Sequence, residues 1–154
     1  MEKKVRVGIN GAGRIGRAFF RIAQTRDDVE VVALNDLGDI ANLAYLLKYD
    51  SVYGPSGLDI KVSDDKTKLS VNGREVAYLS LKEPSELPWK DLNIDVVVES
   101  TGFFTSFEKA RAHITAGAKK VVITAPAKDD ASAADEGTIL MGVNCDSLKE
   151  KVVT

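Results

Sequence analysis

Apolar positions along the chain alternate between short β-branched runs and longer stretches with helical spacing. Lys4 to Ile9 reads KVRVGI and enters Asn10-Gly11-Ala12-Gly13, which predicts a first strand closed by a turn. Arg14 to Thr25 then places Ile15, Ala18, Phe19 and Ile22 on one face, the spacing of an amphipathic helix. Val29 to Leu34 is a second buried strand, ending in Asn35-Asp36. Strand, helix and strand within about thirty residues make a βαβ unit, whose crossover is right-handed in nearly all folds. Asp39 is placed to cap a second helix with Leu43, Leu46 and Leu47 inside, ending near Lys48, and Asp50 to Ser56 reads as a loop.

Between about 58 and 80 the rhythm changes to strict alternation, in LDIKVS, KLSVNG and EVAYLS, with turn formers at Asp64-Asp65 and Asn72-Gly73. That segment predicts an antiparallel insertion. From Ile94 the parallel pattern resumes with IDVVVES, a helix from about Ser106 to Ala116, the run KKVVIT, and GTILMGV after a polar stretch at 127–136. The expected fold class is therefore α/β, a doubly wound and mostly parallel sheet carrying an antiparallel strand insertion. The last residues, Val152-Val153-Thr154, read as the opening of a further strand.

A chain of 154 residues, 44% apolar and 29% charged, is long enough to bury one domain's core. Its net charge of -2, with acids and bases interspersed, argues against nucleic acid or an anionic membrane as partner. The short first apolar run is neither a signal sequence nor a membrane span, which points to the cytoplasm. With one cysteine, Cys145, and one histidine, His113, neither an internal disulfide nor a protein-built transition-metal site is expected. His113 reads as a partly solvated helix residue, and Lys119-Lys120 and Asp129-Asp130 as solvated positions.

Gly11-Ala12-Gly13-Arg14-Ile15-Gly16 matches G-x-G-x-x-G between a strand and a helix, the context that makes this a dinucleotide-binding (Rossmann) fingerprint. Gly11 suits a tight turn, Gly13 a close approach of backbone to pyrophosphate, and Gly16 close packing of helix on strand. The helix start offers free N–H groups and the positive end of its dipole to a diphosphate. Asp36 ends the second strand twenty positions after Gly16, where an acid accepts from the adenosine ribose hydroxyls and repels a 2′-phosphate, so NAD is favoured over NADP. Ser100-Thr101-Gly102 and Thr124-Ala125-Pro126 each follow a parallel strand, on the side where such sheets bind ligands. Phe103 and Phe104 read either as adenine neighbours or as core, with core favoured on the residues alone.

Val7-Gly8-Ile9-Asn10-Gly11-Ala12-Gly13-Arg14-Ile15-Gly16-Arg17 resembles the opening motif of glyceraldehyde-3-phosphate dehydrogenases, with Ala12 where most members carry an aromatic residue. Leu46 to Gly54, Glu99 to Phe104, Ala116 to Val121, Thr124 to Lys128 and Met141 to Asn144 are similar to later segments of that family in the same order. The resemblance implies that residues 1–154 form the NAD-binding domain. It places Arg14 and Ile15 on the pyrophosphate, Asp36 on the adenosine ribose, and Thr101, Gly102 and Phe104 on the adenine side. Asn10 and Asn35 would line the same pocket, Lys82 would lie near the adenine, and Thr124 near the nicotinamide-side ribose.

In that family a Ser-x-x-Cys-Thr-Thr-Asn segment holds the nucleophile and later segments hold the base; neither occurs here, and Cys145 does not match the motif. The parent reaction so implied is thiol attack on an aldehyde, hydride transfer to NAD and phosphorolysis of the thioester, in a homotetrameric glycolytic enzyme. This chain is expected to be inactive alone, its catalytic domain lying beyond it and acting as its partner. Two other readings stay open: a stand-alone nucleotide-binding or sensing module, and part of an erythrose-4-phosphate dehydrogenase, from which Asn35-Asp36 tilts away.

Overall fold

The computed structural model describes residues 3–145 and 152–154. The order begins with β1 (Val5–Asn10), α1 (Arg14–Ala23), β2 (Val29–Asn35) and α2 (Ile40–Lys48). After a small pair, β3 (Tyr49–Asp50) and β4 (Gly54–Pro55), come β5 (Ile60–Val62), β6 (Lys68–Val71) and β7 (Arg74–Leu79). A 3-10 turn at Pro84–Glu86 leads to β8 (Val96–Glu99), α3 (Phe107–Ala110), α4 (Ala112–Thr115), β9 (Lys120–Ile123), β10 (Glu136–Gly137) and β11 (Val152–Val153).

Nine strands form one sheet in the order β10-β11-β9-β8-β1-β2-β7-β6-β5. The pairs from β10 through to β7 are parallel, and β7-β6 and β6-β5 are antiparallel. The alternating segment thus forms the antiparallel edge expected of it. Its last strand also joins the parallel sheet, with Ala77 opposite Ala33. From β1 the chain moves first to β2 on one side and later to β8 on the other. That reversal opens a crevice beyond the carboxyl ends of β1 and β8.

Alternation along the central strands divides the core into two layers. Val7, Ile9, Leu34 and Val98 face α1 and α2, in the cluster that holds Phe20 and Leu47. Ala33 and Val97 belong to the opposite cluster with Trp89, Phe107 and Ala110. Gly8 belongs to the second face for a steric reason, since a Cβ there would fall 2.8 Å from the Trp89 ring. Asp39 caps α2 by accepting from the Asn42 N–H at 3.0 Å, as its position predicts.

Four expectations are corrected. The buried face of α1 is Gly16, Phe20 and Ala23, while Ile15 and Ile22 point outward, because the helix start must present Gly16 to the turn at Gly11 and this rotates the apolar stripe. The helix expected from Ser106 to Ala116 is broken at Arg111, whose guanidinium turns toward Asp135 and Glu136. Asp129 is not simply solvated: it accepts the first N–H groups of α3, from Phe107 and Glu108, and caps that helix from a distance. Of the GTILMGV run at 137–143, only Gly137 lies in a strand, as the second residue of β10. Asn144 accepts from the Leu140 N–H and donates to the Thr138 carbonyl, so a local side-chain turn replaces the ladder and leaves Leu140, Met141 and Val143 exposed.

The rotation of α1 is testable by denaturant unfolding. Phe20→Ala, at a fully buried site, is expected to cost about 3–5 kcal/mol. Ile22→Ala, on the exposed face, is expected to stay within about 0.5 kcal/mol of the unmutated chain. Equal losses would restore Ile22 to the core.

Candidate dinucleotide site

The site is built on the turn that joins β1 to α1. Gly11 has φ +92°, and a Cβ on it would lie 2.7 Å from the Thr101 amide nitrogen. Gly16 sits closer still to its neighbours, since a Cβ there would fall 2.0 Å from the Gly11 carbonyl oxygen. Both glycines are therefore demanded by the protein itself. Gly13 is different: a Cβ there would meet nothing within 4 Å. Internal packing gives no reason for that glycine, whereas a ligand approaching the backbone would supply one. Gly13 also precedes α1 without a side-chain cap, and the helix's first turn carries no acid to neutralise the dipole.

Around this turn lies a cleft of about 710 Å³, within the range of ordinary ligand pockets. Asn10, Gly11 and Gly13 line it from the β1 turn, and Asn35 and Asp36 from the end of β2. Lys82 lines it from the segment after β7, and Ser100, Thr101 and Phe104 from the loop after β8. Nine of the sequence-predicted residues are thus brought together. Arg14, Ile15 and Gly16 follow directly in α1, with Arg14 and Ile15 exposed. Gly102 is exposed beside Thr101, at φ +79°. Thr124 lies apart from the cleft lining, its hydroxyl donating to the Glu99 carbonyl at 3.1 Å. Leu37, Leu81, Glu83, Phe103 and Lys109 also line the cleft; of these the sequence weighs only Phe103, as an adenine neighbour or as core. Apart from Phe103, no sequence motif marks them, because they reach the cleft only through sheet order and loop course.

Asp36 is held on both carboxylate oxygens. Oδ2 accepts the Ala12 N–H at 2.8 Å, inside the glycine turn, and Oδ1 accepts the Gly38 N–H at 2.8 Å. Each oxygen keeps a lone pair for a further donor. Tyr78 braces the same loop by donating to the Asp36 carbonyl at 2.9 Å. Burial, with Asp36 and Asp39 nearby, raises the Tyr78 hydroxyl above the usual phenol value, so it remains a donor at neutral pH. Ser100 ties the β8 loop to the turn, its hydroxyl within 2.7 Å of the Gly11 carbonyl and its N–H on the Asn10 carbonyl.

Two aromatic expectations and one for histidine change here. Phe103 is 76% exposed at the cleft and is not core, while Phe104 is half-buried with its ring edge-on to His113. His113 is not partly solvated but fully buried, with Nε2 2.8 Å from Glu99 Oε2 and Nδ1 accepting from the Trp89 indole N–H at 2.9 Å. A signal was present in its position three residues after Ala110 and six after Phe107, both buried, which places it on the inner face.

With the geometry described, relatives can be placed beside it. The family model for the glyceraldehyde 3-phosphate dehydrogenase NAD binding domain matches residues 5–107. The chain is 52% identical over 147 residues to the glyceraldehyde-3-phosphate dehydrogenase of Geobacillus stearothermophilus, covering 96% of this chain and 42% of that protein. It is 49% identical over 149 residues to the cytosolic enzyme of Trypanosoma brucei brucei, covering 97% and 43%. A chloroplastic relative from Arabidopsis thaliana is 51% identical over 142 residues, 92% of this chain and 32% of that protein. The chain thus spans less than half the length of these relatives. Among the described residues no helix is long and apolar enough to cross a membrane.

The different demands on the glycines give an expected outcome. Gly16→Ala should lower stability by several kcal/mol or prevent folding, since its Cβ overlaps a carbonyl that cannot move. Gly13→Ala should fold with a loss of no more than about 1 kcal/mol, the cost of alanine at a helix N-cap. Comparable losses in thermal unfolding would show that both serve packing.

Proposed function

The chain belongs to the family of glyceraldehyde-3-phosphate dehydrogenase NAD-binding domains, and from that premise we propose that its cleft seats the adenosine diphosphate half of NAD. The free N–H groups at the start of α1, with Gly11, Gly13, Arg14, Ile15 and Gly16, take the pyrophosphate. Asp36 accepts from the adenosine ribose hydroxyls. Ser100, Thr101, Gly102 and Phe104, with Lys82, surround the adenine, and Asn10 and Asn35 form the wall behind it. Thr124 stands toward the second ribose. The observation that carries this reading is the bond from the Ala12 N–H to Asp36, which joins the ribose acceptor and the pyrophosphate-binding turn in one cleft.

In the whole protein we propose the reaction named for its relatives, oxidation and phosphorylation of glyceraldehyde 3-phosphate in glucose metabolism, in the cytoplasm and as a homotetramer. Bound NAD supplies the hydride acceptor there. Residues 1–154 act as the NAD-binding domain, and a catalytic domain supplies the cysteine and base, which have no counterpart in this sequence. Cys145, half-buried with its sulfur near the Gly142 N–H, takes no part.

Competition binding tests the ribose role. NAD is expected to bind well ahead of NADP, and Asp36→Ala to weaken NAD roughly tenfold or more, the worth of a hydrogen bond to a charged group, while narrowing the preference. Equal affinity for the two cofactors in the unmutated chain would remove that role from Asp36.

Calorimetry tests which half of the cofactor is gripped. ADP-ribose is expected to bind within roughly threefold of NAD, a gap under about 0.7 kcal/mol. NAD binding more than about tenfold tighter would mean that the nicotinamide is held by residues of this chain.

A further inference from the structure

Glu99 ends β8 with its side chain about 1% exposed, and the proposed binding of NAD makes no use of it. Its carboxylate gathers four donors. Oε1 takes the Thr101 N–H at 2.8 Å and the Thr101 hydroxyl; Oε2 takes Asn10 Nδ2 at 2.6 Å and His113 Nε2 at 2.8 Å.

The direction of these bonds is fixed from two outer ends. The Trp89 indole N–H can only donate, and it faces His113 Nδ1, so Nδ1 is bare and the ring proton sits on Nε2, pointing at Glu99. At the other end Asn35 accepts the Leu81 N–H at 2.9 Å and donates to the Leu81 carbonyl at 2.9 Å. A peptide N–H cannot accept, so the Asn35 amide has one orientation. It then donates to Asn10 Oδ1 at 2.7 Å, and Asn10 must turn its own NH₂ to Glu99. Two donor chains, one anchored on an indole and one on a peptide group, converge on one carboxylate.

The elements joined in this way are the walls of the cleft. Thr101 belongs to the β8 loop, Asn10 leads into the glycine turn, and Leu81 precedes Lys82. We propose that Glu99 is a positioning residue, the acceptor that holds these three walls at the spacing required by the adenosine half of a dinucleotide. The proposal rests on the NAD reading. It also separates Asn10 and Asn35 from direct recognition, since their amide groups are spent on one another, on Glu99 and on Leu81.

Glutamine at position 99 keeps the shape and introduces a donor. An NH₂ in place of Oε2 faces the Asn10 NH₂ and the His113 N–H; in place of Oε1 it faces the Thr101 N–H. On the histidine side the conflict is relieved by moving the ring proton to Nδ1, which the Trp89 N–H forbids. Trp89→Phe removes that block. Trp89 and Glu99 are thus coupled through the tautomer of His113, a link that simple packing would not create.

The experiment is titration of NAD into the unmutated chain, Glu99→Gln, Trp89→Phe and the double variant, with nitrogen NMR of His113 in the absence of NAD. Glu99→Gln is expected to weaken NAD roughly tenfold, the scale of one unsatisfied buried group. In the double variant the loss should be at least about threefold smaller than the product of the single losses, a non-additivity typical of groups sharing a network. The NMR signal should show the Nε2–H ring in the unmutated chain and the Nδ1–H ring in the double variant. If Glu99→Gln does not fold, His113→Phe, which removes both nitrogens outside the cleft lining, should weaken NAD roughly fivefold. Affinity within about twofold of the unmutated chain for the variant used, multiplicative losses, or an Nδ1–H ring in the unmutated chain would each overturn the proposal. No binding of NAD by the unmutated chain would overturn the NAD reading and the proposal together, which sets that failure apart from the others.

Discussion

The contact between Gly16 and the Gly11 carbonyl governs the rest of the architecture. A hydrogen atom is all that fits between helix and turn there, so only glycine lets α1 sit this close to the turn at the end of β1. That seat determines which face of α1 turns inward, and Phe20 rather than Ile22 enters the core as a result. It also leaves the helix N-terminus at the crevice where the strand order reverses. One steric constraint thus sets both the packing of α1 and the placement of its N-terminus at the crevice.

A second consequence is the closeness of the β8 loop. Because Gly11 bears no side chain, the Ser100-Thr101 backbone closes against it, and the Ser100 hydroxyl and N–H bond the turn's carbonyls. Three loops from non-adjacent segments then share one small volume. Their polar groups must be satisfied internally, since water has little access to Asn10, Asn35 and Glu99. Lining the C-terminal ends of the strands with amides, a carboxylate and an imidazole meets that demand with one connected network.

Much of this was legible in the residues because it is local. The strands β1, β2, β8 and β9, the antiparallel edge and the cap at Asp39 follow from periodicity and turn chemistry within a few positions. The glycine fingerprint and Asp36 are local as well, with a strand end as their only context. What was missed depends on partners distant in sequence. His113 bonds a tryptophan 24 positions away and a glutamate 14 away; helical spacing reports its inward face but not those partners. Asp129 caps a helix whose first residue lies 22 positions earlier. The run at 139–143 has the composition of a strand, but Asn144 folds it into a turn, and apolar content alone does not distinguish those outcomes.

Two acids, Asp36 just after β2 and Glu99 at the end of β8, flank β1 from its two sides and illustrate how position decides role. Asp36 accepts two backbone N–H groups, one on each oxygen, which orients it and leaves acceptor capacity facing the cleft. Glu99 accepts four donors, is closed off by Thr101, Asn10 and His113, and has nothing left to offer a ligand. Both oxygens of each acid are engaged, yet only the first keeps acceptor capacity toward the cleft. The difference lies in what surrounds them: the loop after Asp36 runs through exposed Leu37 and Gly38, whereas α4 lies over Glu99 and brings an imidazole with it. A ligand entering the cleft can therefore meet the Asp36 carboxylate directly, whereas Glu99 acts on it only through the walls it holds in place.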